Sequence, residues 1–256
     1  MNIINLNGGL GNQLFQYSFG MAMKYQYDID IKFCDKFINP NQLRIQDIFD
    51  IDVPKAISKD FEKTVGKLFL NDWFRNYFLR IINRLGISNL QNFIIENYKQ
   101  PLDHLPKLNN KFFFGYWQNF NFFYSHINKI KHVLKFKHPL EKSNEIFNLA
   151  NSYSNIVCLH IRLGDYQSAK NLKIFSEIPL QYYYNAISTL KKKLEKPLFI
   201  LFSDQLDKAI NMFDGINNIL PSTKFNSTPK DDFQLMSMCD SYIFSNSTFS
   251  MWSAYL

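Results

Sequence analysis

The chain is 256 residues long, enough for one large domain or two small ones. Hydrophobic residues make up 46% and charged residues only 20%, which excludes a disordered polypeptide and predicts a sizeable core. The net charge of +7 admits polyanions, anionic membranes and phosphorylated small molecules as partners.

Residues 2–7 read as a short strand, followed by the turn Gly8-Gly9-Leu10-Gly11. Leu14, Tyr17, Ser18, Met21 and Tyr25 then recur at helical spacing, and residues 29–33 read as a second strand. This is the opening of a βαβ unit and of a Rossmann-like sheet. Between residues 68 and 85 apolar side chains recur every three or four positions, with Arg75, Arg80 and Arg84 interleaved. Such a basic amphipathic helix packs on a core or lies flat on an anionic membrane. Residues 112–117, Phe-Phe-Phe-Gly-Tyr-Trp, predict an aromatic strand and turn that serves as core or as a stacking platform for a sugar ring. The stretch Lys137-His138-Pro139-Leu140 is the expected domain boundary, giving lobes 1–140 and 141–256.

Beyond it strands and helices alternate cleanly. Strands are expected at 156–161, 198–202 and 241–245, and helices at 179–193, from 205 to about 213, at 231–239 and after 248. The basic run Lys191-Lys192-Lys193 ends one of these helices, where lysines complement the helix dipole, so a nucleic-acid patch is not expected. The three cysteines, Cys34, Cys158 and Cys239, are far apart and form no CxxC pair, so neither a zinc site nor a disulfide framework is indicated. That usage suits a reducing cytosol. No charged and apolar leader precedes the first strand, and no apolar run approaches the roughly 20 residues of a membrane span.

Four segments carry side chains suited to chemistry. In the first, Gly9-Leu10-Gly11-Asn12-Gln13-Leu14 resembles GxGxxG with leucine at the third glycine position. A strand–glycine–helix junction aims backbone N–H groups at whatever sits above it, and Asn12 and Gln13 add amide donors there. In the second, strand alternation puts Val157, Leu159 and Ile161 on one face and Cys158, His160 and Arg162 on the other. Arg162 offers a planar fork of donors to phosphate, and the bland alternative is an ion pair with Asp165 that buttresses the turn. The third is Phe202-Ser203-Asp204: a carboxylate at a strand's carboxyl end binds ribose or guanine, or caps the following helix. The fourth is Asn246-Ser247-Thr248-Phe249-Ser250, four hydroxyl or amide side chains at a strand-to-helix junction, a pattern suited to a diphosphate. Two DxD triplets, Asp28-Ile29-Asp30 and Asp50-Ile51-Asp52, lie far from these segments and read as turn and surface residues rather than metal ligands.

Together with Asp232-Phe233-Gln234-Leu235-Met236-Ser237, these segments resemble glycosyltransferase family 11, the α-1,2-fucosyltransferases of bacteria and animals. The shared pieces run from Gly8-Gly9-Leu10-Gly11-Asn12-Gln13-Leu14-Phe15-Gln16-Tyr17 through His160-Ile161-Arg162-Leu163-Gly164-Asp165-Tyr166 to Ser250. The resemblance implies an α/β fold of GT-B type, two Rossmann-like lobes with a cleft between them. The N-terminal lobe would face the acceptor and the C-terminal lobe would bind GDP-fucose. It also implies GDP-β-L-fucose as donor, an oligosaccharide or lipid-linked glycan as acceptor, and inverting transfer to a 2-hydroxyl, commonly of galactose, with no metal or other cofactor. Carried over, His160 and Arg162 grip the diphosphate, Asp204 binds guanine or ribose, Asn246 to Ser250 hold the phosphates, and Gly9, Gly11, Asn12 and Gln13 face the cleft. Asp165 is the candidate base or the orienting partner of Arg162. A cytoplasmic protein is implied, with peripheral contact to the inner face of the membrane as an added option.

The chain departs from the family at Gln205, where a second Asp is usual, and at Met251 and Ser253, where Trp and Gly are usual. It also ends inside its last expected helix, which predicts a shortened C-terminus. The alternatives are a GT-B transferase for another sugar nucleotide and an inactive GDP-sugar or glycan-binding protein. A Rossmann dehydrogenase is disfavoured by Leu14 and by the lack of any hydride-transfer constellation.

Overall fold

The structure, a computed structural model, describes residues 1–71, 77–78, 81, 89–90, 92–97, 104–140, 152–164, 178–225 and 228–256. Asp165 and most of the amphipathic segment 68–85 lie outside the described residues. The chain packs as two compact units, Met1–Lys137 and His138–Leu256.

Unit 1 opens with strand β1 (Asn2–Asn7), helix α1 (Leu10–Tyr27) and strand β2 (Ile31–Phe37). The second strand starts two residues later than the spacing predicts, because Asp28 adopts a left-handed conformation and caps α1, its N–H bonding the Lys24 carbonyl. Short helices α2 (Ile45–Ile48) and α3 (Ser58–Thr64) follow, then strands β3 (Asn89–Leu90), β4 (Phe93–Ile95) and β5 (Phe112–Phe114), and helix α4 (Ile127–Val133). The sheet order is β2-β1-β5-β4-β3, parallel except for the β3–β4 pair. One face buries Ile3, Phe61, Phe69, Phe93 and Phe112. On the other face α1 lies close over β1 and β2, at a distance only Gly20 allows: a Cβ there would sit 3.0 Å from Ile4 and Phe33. Most of the aromatic segment is core, with Tyr116 left half-buried. Phe112 and Phe113 are fully buried, and Trp117 stacks on Phe19 at 4.7 Å and 9°.

Unit 2 alternates β6 (Asn155–Ile161), α5 (Leu180–Lys193), β7 (Pro197–Ser203), α6 (Leu206–Asn211), β8 (Ile219–Pro221), α7 (Pro229–Ser237), β9 (Ser241–Phe244) and α8 (Thr248–Tyr255). All pairs are parallel, in the order β8-β7-β6-β9. Strand β6 is buried on both faces. Val157, Leu159 and Ile161 meet Tyr183 and Ile187 of α5, while Ile156 and Cys158 meet Leu235, Met236 and Cys239. The chain moves outward from β6 to β7 and β8, then returns to place β9 on the opposite side. The order therefore reverses at β6/β9, and in open α/β sheets ligands bind beyond the strand carboxyl ends at such a reversal.

Candidate active site

The carboxyl ends of β6, β7 and β9 bring three of the four singled-out segments together. In register, His160 of β6 lies between Phe202 of β7 and Phe244 of β9, so Arg162, Asp204 and Ser245 follow at adjoining strand ends.

His160 is 5% exposed. Its Nδ1 lies 3.5 Å from the Ser245 hydroxyl, which also contacts Tyr183, and its ring sits 6.4 Å from Phe249. Burial, reinforced by the Arg162 guanidinium, pushes its pKa down to about 4 against a smaller opposing pull from Asp204. The imidazole is therefore neutral at neutral pH: it can donate a hydrogen bond but brings no charge. The charge at this edge belongs to Arg162, whose Nη1 is 3.2 Å from Asp204 Oδ2.

Asp204 does not cap α6; Gln205 occupies that position. Instead its Oδ1 accepts the Leu163 N–H and its Oδ2 the Gly164 N–H, both at 2.9 Å, and Oδ2 also meets Arg162. One carboxylate thus ties the loop after β6 to the end of β7 and sets the guanidinium. Among the described residues the ion pair of Arg162 runs to Asp204; the expected pairing with Asp165 lies outside them. Gly164 is required by that closeness and not by its backbone angles, since a Cβ there would fall 2.4 Å from Asp204 Oδ2.

The Asn246–Ser250 segment divides in two. Ser247 is the N-cap of α8, yet its side chain makes no capping bond, and Asn246 is exposed beside it. The first N–H groups of such a helix lack intrahelical partners and favour anions. Ser250 is a correction: it is fully buried and donates to the Ser247 carbonyl at 3.0 Å, so its hydroxyl is not available to a phosphate. Phe249 packs edge-on against Phe233 at 4.9 Å and walls the His160 pocket. Ser253, one of the departures from the family pattern, is buried and bonds the Ser250 carbonyl at 2.8 Å.

A further carboxyl of the Asp232–Ser237 segment lies beside Ser222 and within electrostatic reach of Cys158 of β6. Asp232, in the first turn of α7, is held up to about 6 by burial, against a hydrogen bond from Ser222 just past β8. The sign that could have found it is an acid in the first turn of a helix that packs over a buried strand. Ser245 and Tyr183 carry no local sign: Ser245 reaches His160 only through the register of β9 on β6, and Tyr183 reaches Ser245 from α5.

In unit 1 the glycine turn splits likewise. Gly8 has φ +76°, and a Cβ there would strike the Asn12 amide at 2.6 Å and Tyr116 at 3.2 Å. Gly9 begins α1 with open space where a Cβ would be, and Gly11 is buried in the helix. Asn12 is half-buried and its Oδ1 accepts from Gln118 Nε2 at 2.9 Å. Gln13 is a correction. It is fully buried, it donates to the Gly8 and Leu43 carbonyls at 3.0 and 2.8 Å, and it accepts from the Ile45 N–H at 3.3 Å. Both of its N–H donors are consumed in holding the turn. Beside it Glu96, past the end of β4, accepts the Tyr116 and Trp117 N–H groups at 2.6 and 3.0 Å. Tyr116 is left half-buried over Gly8, its phenol pKa raised by burial and by Glu96. Among the described residues no group of three metal-ligating side chains occurs, and no helix is long and apolar enough to cross a membrane.

Comparison with known proteins bears on the fold and the family. A solved structure, NodZ α-1,6-fucosyltransferase co-crystallized with GDP, superposes with a TM-score of 0.53 at 12% identity, covering 99% of this chain and 91% of that one. The shared fold is the α/β, GT-B type. An alpha-1,2-colitosyltransferase of Escherichia coli is 29% identical over 99% of this chain and 87% of its own length. The O-antigen biosynthesis glycosyltransferase WbnK of Escherichia coli is 27% identical over 98% of this chain and 88% of its own. The family model for glycosyl transferase family 11 matches residues 1–256. The chain belongs to glycosyl transferase family 11.

Proposed function

We propose that the protein transfers L-fucose from GDP-β-L-fucose to the 2-hydroxyl of a sugar acceptor, galactose above all, with inversion. The observation that carries this reading is the edge formed by β6, β7 and β9. There a guanidinium held by Asp204, a buried neutral imidazole and the start of α8 surround one spot beyond the strand ends.

A departing GDP gathers negative charge on its β-phosphate. Donors fixed in advance at that oxygen are each worth about 3 kcal/mol of barrier. Arg162 supplies the cation, the first N–H groups of α8 with Ser247 and Thr248 supply dipoles, and His160 supplies a neutral donor. On this reading no metal takes part. Asp204 acts through Arg162 and the loop as a positioning residue, because its oxygens already accept three donors. Nucleoside recognition then falls to Asp232. Asp165 serves as the base that takes the acceptor proton, or as a second support for Arg162. The unit 1 turn, with Gly9, Asn12 and Tyr116, meets the acceptor. The acceptor is a surface-glycan precursor, a reading supported by the O-antigen biosynthesis relative, and the proposal places the transfer on the cytoplasmic side.

The colitosyltransferase relative favours a second reading, the same nucleotide site with colitose as the transferred sugar. A transfer assay with GDP-fucose and GDP-colitose against an acceptor panel, with product linkage read by NMR, separates the two. Arg162→Ala should lose turnover while keeping the fold, and EDTA should leave transfer intact. Absence of GDP binding in calorimetry, or loss of transfer in EDTA, would overturn the proposal.

A further inference from the structure

A cavity of about 250 Å³ opens on unit 1 between α1, β2 and residues 50–54. Apolar side chains, among them Met21 and Phe33, form most of its wall, and four polar side chains converge on it: Tyr17, Lys24, Asp50 and Asp52. Tyr17 is 2% exposed, and its ring stacks on Phe33 at 5.3 Å. Its hydroxyl makes no hydrogen bond among the described residues. Its pKa is raised chiefly by burial, with Tyr25 and the Asp52 carboxylate adding to the shift. Lys24, Asp50 and Asp52 are exposed and form no ion pair among the described residues, with each other or elsewhere.

The Tyr17 hydroxyl is not among the fully enclosed unpartnered polar atoms, so it opens on the cavity, where an occupant can bond it in place of water. The donor set narrows the occupant. Two carboxylates oppose an anion, and Lys24 at the same rim opposes a simple cation. A neutral polyhydroxyl ring suits both: its hydroxyls donate to Asp50 and Asp52 and accept from Lys24 and Tyr17, while its C–H face lies on the part-exposed Met21 and Ile51. The volume is below the roughly 300 Å³ at which pockets for larger ligands begin, which limits the occupant to about one ring.

The cavity is separate from the glycine turn. Tyr17 and Lys24 lie seven and fourteen residues along α1 from Leu10, which is about 10 and 21 Å at 1.5 Å per residue. We infer that this cavity binds a single pyranose residue of a glycan, as a second sugar site away from the turn that meets the acceptor. The identity of the occupant as part of the acceptor glycan rests on the proposed function. Its use would be to raise the local concentration of an acceptor whose reacting sugar lies further along the same glycan.

Titration of ¹⁵N-labelled protein with methyl β-D-galactopyranoside and with methyl α-D-glucopyranoside tests the site, with tetramethylammonium chloride as the cationic comparison. Saturable amide shifts confined to residues 17–24 and 50–54 are expected with a pyranoside. Asp52→Asn should weaken that affinity about tenfold and Tyr17→Phe about threefold, with GDP binding unchanged in both. The inference is overturned if neither pyranoside gives saturable shifts there, if both variants bind as the parent does, or if only tetramethylammonium moves these amides. Should one variant fail to fold, the other decides. Pyranoside binding in the cavity of a protein that ignores GDP would keep the sugar site and refute the donor assignment instead.

Discussion

Two groups in unit 2 titrate in opposite senses as the protein is acidified, and their removal should pull its stability apart. His160 is depressed from 6.5 to about 4, so between those values the unfolded chain binds more protons and stability is lost as the pH falls. At 1.36 kcal/mol per unit the loss is about 3 kcal/mol by pH 4. Asp232 is raised from 3.8 to about 6, so the folded state binds more protons and gains stability on acidification, again by about 3 kcal/mol. The two slopes nearly cancel between pH 4 and 6. His160→Phe should therefore become more stable relative to the parent as the pH falls from 6.5 to 4, and Asp232→Asn less stable. The double variant should track the parent, since neither group contributes to the shift of the other. Urea unfolding followed through Trp252, which is buried in the same unit, measures all four proteins. Parallel curves for parent and single variants across this range would refute the burial argument for both groups.

Further outcomes follow from the clamps and caps. Gly164→Ala should cost about 2 kcal/mol by thermal unfolding, because the new methyl displaces the Asp204 carboxylate; in an Asp204→Ala background the same change should cost under about 0.5 kcal/mol. Ser247→Ala should leave stability within about 0.5 kcal/mol, unlike an ordinary N-cap loss, while weakening GDP binding in calorimetry. Ser250→Ala should do the reverse, lowering stability by about 1 kcal/mol through the lost buried hydrogen bond and leaving GDP affinity unchanged in its folded fraction. Gln13→Leu should destabilise unit 1 by about 2–3 kcal/mol, measured by chemical denaturation, since it orphans two carbonyls and an N–H.

Periodicity was enough to read most of unit 2. The alternation along Ile156–Ile161 separates the two buried faces of β6 correctly, since each strand residue has only two directions to point. What stayed hidden was the internal use of polar side chains. Gln13, Ser250 and Asp204 stand beside glycine turns and helix starts, where a free N–H or carbonyl is as good a partner as a ligand. Their partners include residues 30 to 41 positions away, distances that no local pattern records. Trp117 was hidden for a different reason. It shares the Phe113 side and stacks on Phe19, but its φ of 56° and the Glu96 carboxylate that holds its N–H are set by the turn, not by strand alternation.

The place of β1 in its sheet has a consequence for synthesis. Its first residues are tied on one side to residues near 110: Asn2 bonds the Leu108 carbonyl at 2.7 Å and the Lys111 N–H at 3.0 Å, and Ile3 and Ile4 pair with Phe112 and Phe113. Helix α1 and β2 can cover the other flank almost at once, but the β5 flank waits for about 110 more residues. At ribosomal rates of 5–20 residues per second that is roughly 5–20 s. For that time a nascent chain carries an apolar strand with an open edge, the form that pairs wrongly with its neighbours. The stretch of chain most exposed to that hazard is β1 itself.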